Sequence, residues 1–73
     1  MKLNLKGHAK KRFDERFPEM SYELLFHHFR TGKIVKKPKK EGSVGKIVKK
    51  IKGDSICFKF IVRNGEIWII TIE

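Results

Sequence analysis

The N-terminal part of the sequence carries an imidazole and two guanidinium groups at helical spacing. His8, Arg12 and Arg16 follow one another at intervals of four residues, which brings side chains to one side of a helix. RNA cleavage without a metal needs a group that transfers protons near neutral pH and cations that stabilise the phosphorus dianion of the transition state. Histidine and arginine supply these functions, so His8, Arg12 and Arg16 are candidate catalytic residues. The alternative is an ordinary charged helix surface, in which Glu15 pairs with Lys11 at i, i+4.

The chain is strongly basic, and its charge is concentrated in the middle. Eighteen Lys and Arg against eight Asp and Glu give a net charge of +10. Residues 33–52 alone contain nine lysines and one acid, a net charge of +8. Phosphate groups of a nucleic acid are the expected partner, with an acidic protein or a merely solvated surface as alternatives. The side chains that we expect to contact nucleic acid are Lys36, Lys37, Lys46, Lys49, Lys50, Lys59, Arg63 and Trp68.

Trp68 has two interpretations. It is flanked by isoleucines, a setting that is typical of a core residue. It also follows Lys59 and Arg63 along the predicted hairpin, where an indole could stack on an unpaired base while the cations contact phosphates.

Length and composition limit the other classes of function. A chain of 73 residues predicts a single domain over residues 1–73 with a small core. A single cysteine, Cys57, and three histidines lack the spacing of a zinc site, so we expect no metal or other cofactor. No apolar run approaches 18 residues, so we expect a cytoplasmic protein without a membrane partner.

Two helices are predicted near the N-terminus. The first begins at Gly7 or His8 and stops before Pro18, and the second begins after an N-cap at Ser21. Gly32 is expected to end the second helix in the left-handed conformation. The apolar positions that predict the buried helix faces are Ala9, Phe13 and Phe17 in the first helix, and Tyr22, Leu25, Phe26 and Phe29 in the second.

The remaining segments predict strands. A short strand precedes the helices, and residues 33–37, 44–51, 55–63 and 66–73 follow, with a mobile loop over 39–45 and a turn at 53–54. Asn64-Gly65 predicts a tight hairpin that pairs Phe60 with Ile69 and Phe58 with Thr71, so Thr71 would face the helices. The expected fold is α+β, with the order β-α-α-β-β-β-β and two helices on one face of a twisted antiparallel sheet.

The string from His8 to Arg16 resembles the HAxxRxxER opening of a family of small bacterial and phage proteins that is similar to RelE-like ribonuclease toxins. Residues 31–35 and 69–72 resemble later motifs of that family. The resemblance implies a RelE-like domain and a metal-independent endoribonuclease. The family's histidine and two arginines fall on His8, Arg12 and Arg16, and its near-terminal threonine falls on Thr71. It also implies RNA or the ribosome as partner, and an acidic antitoxin in a toxin-antitoxin system.

Two functions therefore remain open at the level of sequence. One is an RNA-binding endoribonuclease in which the helix does the chemistry and the lysines hold the RNA backbone. The other is a basic binding protein without catalysis, such as a phage-type inhibitor of a host protein or a nucleic-acid binder. The first requires the helix cations and the lysine strands to border one surface, whereas the second requires only the charge.

Overall fold

Two helices and five strands form in the predicted order. A computed structural model describes residues 2–73 of the chain. Its elements are β1 (Lys2–Leu5), α1 (Gly7–Arg16), α2 (Tyr22–Thr31), β2 (Lys33–Lys36), β3 (Val44–Ile51), β4 (Asp54–Arg63) and β5 (Glu66–Ile72). The α+β class is thereby confirmed.

The five strands form one mixed sheet with the order β1-β5-β4-β3-β2. The strands from β2 to β5 pair antiparallel, but β1 pairs parallel with β5, so that Lys2 lies opposite Glu66 and Leu5 opposite Ile69. The prediction of a wholly antiparallel sheet is therefore wrong at this edge. The alternation in Leu3-Asn4-Leu5 indicates which side chains face the core, but it carries no information on the direction of the strand.

The β4–β5 hairpin has the predicted turn and a register that changes along its length. Asn64 and Gly65 both have positive φ, at 52° and 74°, and Phe60 pairs with Ile69 as expected. A bulge in β5 after Ile69 then places Phe58 opposite Ile72 and Lys59 opposite Thr71. The prediction that Thr71 faces the helices is wrong, since one extra residue reverses the alternation of side chains. Ile72 is fully buried instead.

Both helices pack on one face of the sheet, where α1, α2 and alternate strand residues share one apolar core. Phe29 of α2 lies edge-on against Phe58 and Phe60, with ring centroids 5.7 and 5.3 Å apart. Ser21 caps α2 as predicted, because its hydroxyl accepts a hydrogen bond from the Leu24 N–H at 3.2 Å. The buried core consists of Ala9, Phe13, Phe17, Leu25, Phe29, Ile47, Ile51, Ile56, Phe58, Phe60, Ile69 and Ile72. Of the predicted helix stripes, only Tyr22 is exposed, at 40%.

Gly32 ends α2 for a reason other than the one predicted. Its backbone is extended, with φ −73° and ψ 168°, so the prediction of a left-handed conformation at this residue is wrong. A Cβ at this position would lie 2.4 Å from the Cγ2 atom of Ile47 and 3.0 Å from the carbonyl oxygen of Val48. Glycine is therefore required here by the close approach of α2 to β3.

Two loops differ from their predicted form. The turn between β3 and β4 is formed by Lys52 and Gly53, both with positive φ, one residue earlier than expected. The segment predicted to be a mobile loop is attached to the β4–β5 hairpin, because the Gly42 N–H donates to the Val62 carbonyl oxygen at 3.0 Å. The Glu41 carboxylate also accepts a hydrogen bond from the Asn64 N–H.

Candidate nucleic-acid interface

The face of the sheet opposite the helices, called here the open face, is not covered by any element of residues 2–73. Strand register places its side chains in rows that cross the sheet. One row, the apolar row, contains Val44, Ile61, Trp68 and Asn4 directly opposite one another on β3, β4, β5 and β1. All four are half-buried, as expected for side chains that lie side by side on an uncovered sheet.

Trp68 is thus outside the core and lies near the centre of the apolar row. The ammonium group of Lys6 lies 4.7 Å from the centroid of its ring, within the range of a cation–π contact. The side-chain nitrogen of the neighbouring Asn4 is buried and has no hydrogen-bond partner in the part of the chain that the structure describes. An indole face, a cation and an unpaired donor therefore lie together at the β1–β5 side of the open face.

A second row, the lysine row, lies next to the apolar row. Lys36, Lys46, Lys59 and Thr71 are directly opposite one another on β2, β3, β4 and β5. Like charges directly opposite in a sheet repel each other, so this row is unfavourable on its own and a bound anion would relieve it. A shift of register between Ile34 and Lys36 brings Lys36 into this row.

Glu73 at the end of β5 connects the lysine row to α1. Its carboxylate lies 3.0 Å from the ammonium group of Lys59. The hydrogen bond and charge of Lys59 lower the pKa of Glu73, and the charges of Lys46 and Arg12 lower it further. The guanidinium of Arg12 therefore acts on the same carboxylate as Lys59 and Lys46 of the lysine row.

The predicted catalytic residues all lie on the exposed surface of α1. His8, Arg12 and Arg16 are exposed, and none of them forms an ion pair within residues 2–73. A packing role for His8 is excluded by this exposure. The charge of Arg12 acts on Glu73, whereas Arg16 is not among the groups that act on it, and the Arg16 guanidinium lies 5.8 Å from the Phe17 ring.

The other predicted contact residues are divided between the two faces. Lys50 lies opposite Ser55, and Arg63 lies opposite Glu66. Lys50 and Arg63 are both exposed and belong to further rows of the open face. Lys49 does not belong to the interface, because it alternates with Lys50 and lies on the helix side. Its ammonium group donates a hydrogen bond to the hydroxyl of Thr31 at 3.0 Å. Lys49 therefore lies apart from the open face, and its contact with nucleic acid stays a prediction.

Lys37 is the remaining predicted residue, and it lies at a surface pocket between β2 and β3. This open pocket has a volume of about 470 Å³. Its lining residues are Lys36, Lys37, Lys39, Gly42, Ser43 and Val44. The pocket adjoins the open face, since Lys36 belongs to the lysine row and Val44 to the apolar row.

His28 and Cys57 have environments that sequence alone does not specify. The Nδ1 atom of His28 is buried without a hydrogen-bond partner among residues 2–73, whereas His27 is exposed. Burial lowers the pKa of His28, and the charges of Lys49 and His27 lower it further, which favours the neutral imidazole. Cys57 lies half-buried on the open face, opposite Val48, instead of inside the core.

Several residues of the interface have no signal in the sequence. Lys6 and Asn4 reach Trp68 only because β1 pairs with β5, a contact between the two ends of the chain. Glu73 is predicted as the end of a strand, but its position between Lys59 and Arg12 depends on the bulge in β5. A non-local pairing and a bulge are the two features that local alternation cannot predict.

The described residues form no group of three or more His, Cys, Asp or Glu side chains that could hold a metal ion. None of the helices within residues 2–73 has the length and apolar character needed to span a membrane. Comparison of the chain with family models, with curated proteins and with solved structures finds no significant match. The relation of the helix-one string to RelE-like toxins therefore stays a prediction.

Proposed function

We propose that this protein binds single-stranded RNA on the open face of its sheet. The observation that carries the proposal is the position of the lysine row directly beside the apolar row that contains Trp68. Single strands are bound by a combination of cations that follow the phosphates and an aromatic ring on which a base stacks. Both components lie here on one uncovered surface, in rows that are two residues apart along β3 and β4.

The repulsion within the lysine row favours a polyanionic partner over a solvated surface. The backbone register holds Lys36, Lys46 and Lys59 beside one another, so their like charges stay close together although the long side chains can diverge. Only Lys59 has an acidic partner, Glu73, among the described residues. Phosphates of a bound strand would neutralise the row and release their own counterions, which makes binding favourable and salt-dependent.

A finer proposal is that the bound RNA is cleaved without a metal by a RelE-like mechanism. The 2′-oxygen loses its proton and attacks the neighbouring phosphorus, while the 5′-oxygen leaves and takes up a proton. The products are a 2′,3′-cyclic phosphate and a 5′-hydroxyl. His8 would transfer the protons, and Arg12 and Arg16 would stabilise the dianionic phosphorane. The position of Arg12 near the lysine row supports this assignment more than that of Arg16 does.

Binding is tested through the fluorescence of Trp68, the chain's single tryptophan. Titration with a short unstructured RNA should quench the emission, because a stacked base contacts the indole directly. The same RNA should still bind a Trp68→Leu variant, but more weakly, as measured by anisotropy of a labelled RNA. Emission that does not change while RNA binds would place the bound strand elsewhere and contradict the proposal.

Cleavage is tested separately with a labelled RNA in the presence of EDTA, which removes metal-dependent contaminants. The wild-type protein should produce fragments with a 2′,3′-cyclic phosphate, and a 2′-deoxy substitution at the cleaved position should prevent this. His8→Ala should abolish cleavage and leave binding unchanged, whereas the matched variant His27→Ala should retain it. Cleavage that survives His8→Ala would remove the mechanism, and binding without any turnover would leave a basic RNA-binding protein.

The second candidate function is inhibition of an acidic protein. It is supported by the net charge of +10 alone, and not by the half-buried indole of Trp68 in the apolar row. Binding to an acidic protein together with failure to bind any RNA would favour this function over the first.

A further inference from the structure

The pocket between β2 and β3 adjoins the open face, but its lining includes residues that belong to neither row. Three of its six lining residues are lysines, namely Lys36, Lys37 and Lys39. The hydroxyl of Ser43 adds a hydrogen-bond donor at the same place. Its only apolar side chain, that of Val44, lies on the side that adjoins the apolar row.

The loop that forms this pocket is held in place by the neighbouring hairpin. The Gly42 N–H donates to the Val62 carbonyl oxygen, and the Ser43 N–H donates to the Lys40 carbonyl oxygen, both at 3.0 Å. The carboxylate of Glu41 is hydrogen-bonded to the Asn64 N–H and is not part of the pocket lining. The pocket is therefore preformed, and the single acid of the loop is directed to the hairpin turn.

The base of the same loop is fixed by close packing at Gly45. A Cβ on Gly45 would lie 2.5 Å from the Phe60 ring and 2.8 Å from the Cδ atom of Pro38. The absence of a side chain thus lets Pro38 and Phe60 both lie close to the backbone at the start of β3.

We propose that this pocket binds a terminal phosphate of the RNA strand that lies on the open face. The inference rests on the proposed function. It adds that one end of the RNA lies in the pocket, which gives the bound RNA a fixed 5′-to-3′ direction across the sheet. Trp68 and Val44 are two strands apart, about 10 Å at the usual spacing between strands. A short strand with one base on Trp68 can therefore reach the pocket with its end.

The charge of the pocket favours a terminal phosphate over an internal one. A phosphomonoester carries about −1.5 to −2 charges near neutral pH, whereas an internal phosphodiester carries one. Three lysines around one pocket match the larger charge, and a monoester also offers three oxygens to the lysines and to the Ser43 hydroxyl. The pocket lies at the β2 side of the sheet, where an RNA strand that follows the apolar row from Trp68 past Val44 would end.

The test compares RNAs of one sequence with a 5′-phosphate, a 3′-phosphate or no terminal phosphate. Binding is measured by anisotropy with an internal label. We expect one phosphorylated RNA to bind roughly three- to ten-fold more tightly than the unphosphorylated one. This is the gain in affinity that a partly exposed, charge-assisted hydrogen bond provides. The phosphorylated end that gives this gain identifies the polarity of the strand.

Two neighbouring lysines of the loop provide a matched pair of variants. Lys39 lines the pocket and Lys40 does not, although both are exposed and both variants lose one charge. Lys39→Gln should remove most of the preference for the terminal phosphate, and Lys40→Gln should retain it. Ser43→Ala serves as a second variant that reduces the preference without a change of charge.

The outcomes separate the pocket from the proposed function. Equal binding of all three RNAs, or a preference that Lys39→Gln and Lys40→Gln reduce equally, would overturn the terminal-phosphate site and leave RNA binding intact. Failure of all three RNAs to bind would instead refute the proposed function, and the pocket inference with it.

Discussion

The lysine row gives a quantitative prediction for the salt dependence of RNA binding. Lys36 and Lys46 are directly opposite each other on the open face, and neither has an acidic partner within residues 2–73. If each contacts one phosphate, the double variant Lys36→Gln/Lys46→Gln loses two contacts. The slope of log K against log salt concentration should then become smaller by about 1.4, since each neutralised phosphate of a single strand contributes about 0.7.

The control is a double variant with the same change in net charge outside the open face. Lys11 lies on α1 and Lys52 in the β3–β4 turn, and both are exposed. Lys11→Gln/Lys52→Gln should lower the affinity slightly through the overall field but leave the slope almost unchanged. Both proteins are compared by fluorescence anisotropy of a labelled RNA over a range of salt concentrations.

The expected stability of the double variant makes the result unambiguous. Removal of two like charges that face each other should leave the free energy of unfolding unchanged or slightly increased. A loss of affinity can therefore not be attributed to unfolding, which a urea titration checks. Equal reductions of the slope in the two double variants would mean that RNA senses only the net charge, and the lysine row would have no specific role.

Three further predictions concern single side chains. Trp68→Leu should weaken RNA binding by about 1–3 kcal/mol, the contribution of one stacked base, and an unchanged Kd would argue against stacking. Gly32→Ala should lower the free energy of unfolding in urea by about 1–3 kcal/mol through overpacking against Ile47; an unchanged midpoint would contradict this account of the close approach. Burial lowers the pKa of His28 from its ordinary value of 6.5, so the folded state favours the neutral imidazole. The stability that the neutral His28 imidazole contributes should be fully present above about pH 6.5 and be lost as the pH falls through the lowered pKa. In urea titrations at decreasing pH, His28→Gln should reduce this loss of stability, whereas His27→Gln should not.

Features that depend on local chemistry could be predicted from the sequence. Ser21 caps α2 and Asn64-Gly65 forms the hairpin turn, because each requires only a side chain or a backbone conformation at a fixed offset. The helix faces follow in the same way from the 3.6-residue period of their apolar residues. The class of the fold follows from these elements and their order along the chain.

Features that depend on distant contacts could not be predicted. The bulge after Ile69 exchanges the environments of Thr71 and Ile72, and a strict alternation assigns both to the wrong face. The period of two places Lys49 on the face of Ile47 and Ile51, but it does not reveal the hydrogen bond of Lys49 to Thr31 of α2, which depends on how the helix packs. Gly32 shows the same limit, because its role comes from the approach of Ile47, fifteen positions away in the chain.

For the candidate site, the sequence supplies the residue types but not their arrangement. Lysines and a tryptophan predict an interface for nucleic acid, but the two adjacent rows exist only in the assembled sheet. Lys36 enters its row through a second irregularity, the shift of register in β2. The contact between Lys6 and Trp68 likewise requires the pairing of the first strand with the last.

The open face as the binding surface is tested most directly by an NMR titration of the isotopically labelled protein with a short single-stranded RNA. The account predicts that the indole N–H of Trp68 and the amides of Ile61, Lys46 and Lys59 change their chemical shifts together and saturably. The amides of α2, on the other side of the sheet, should stay unchanged. Shifts confined to α2, or no shifts at all under conditions of low salt, would contradict the central claim.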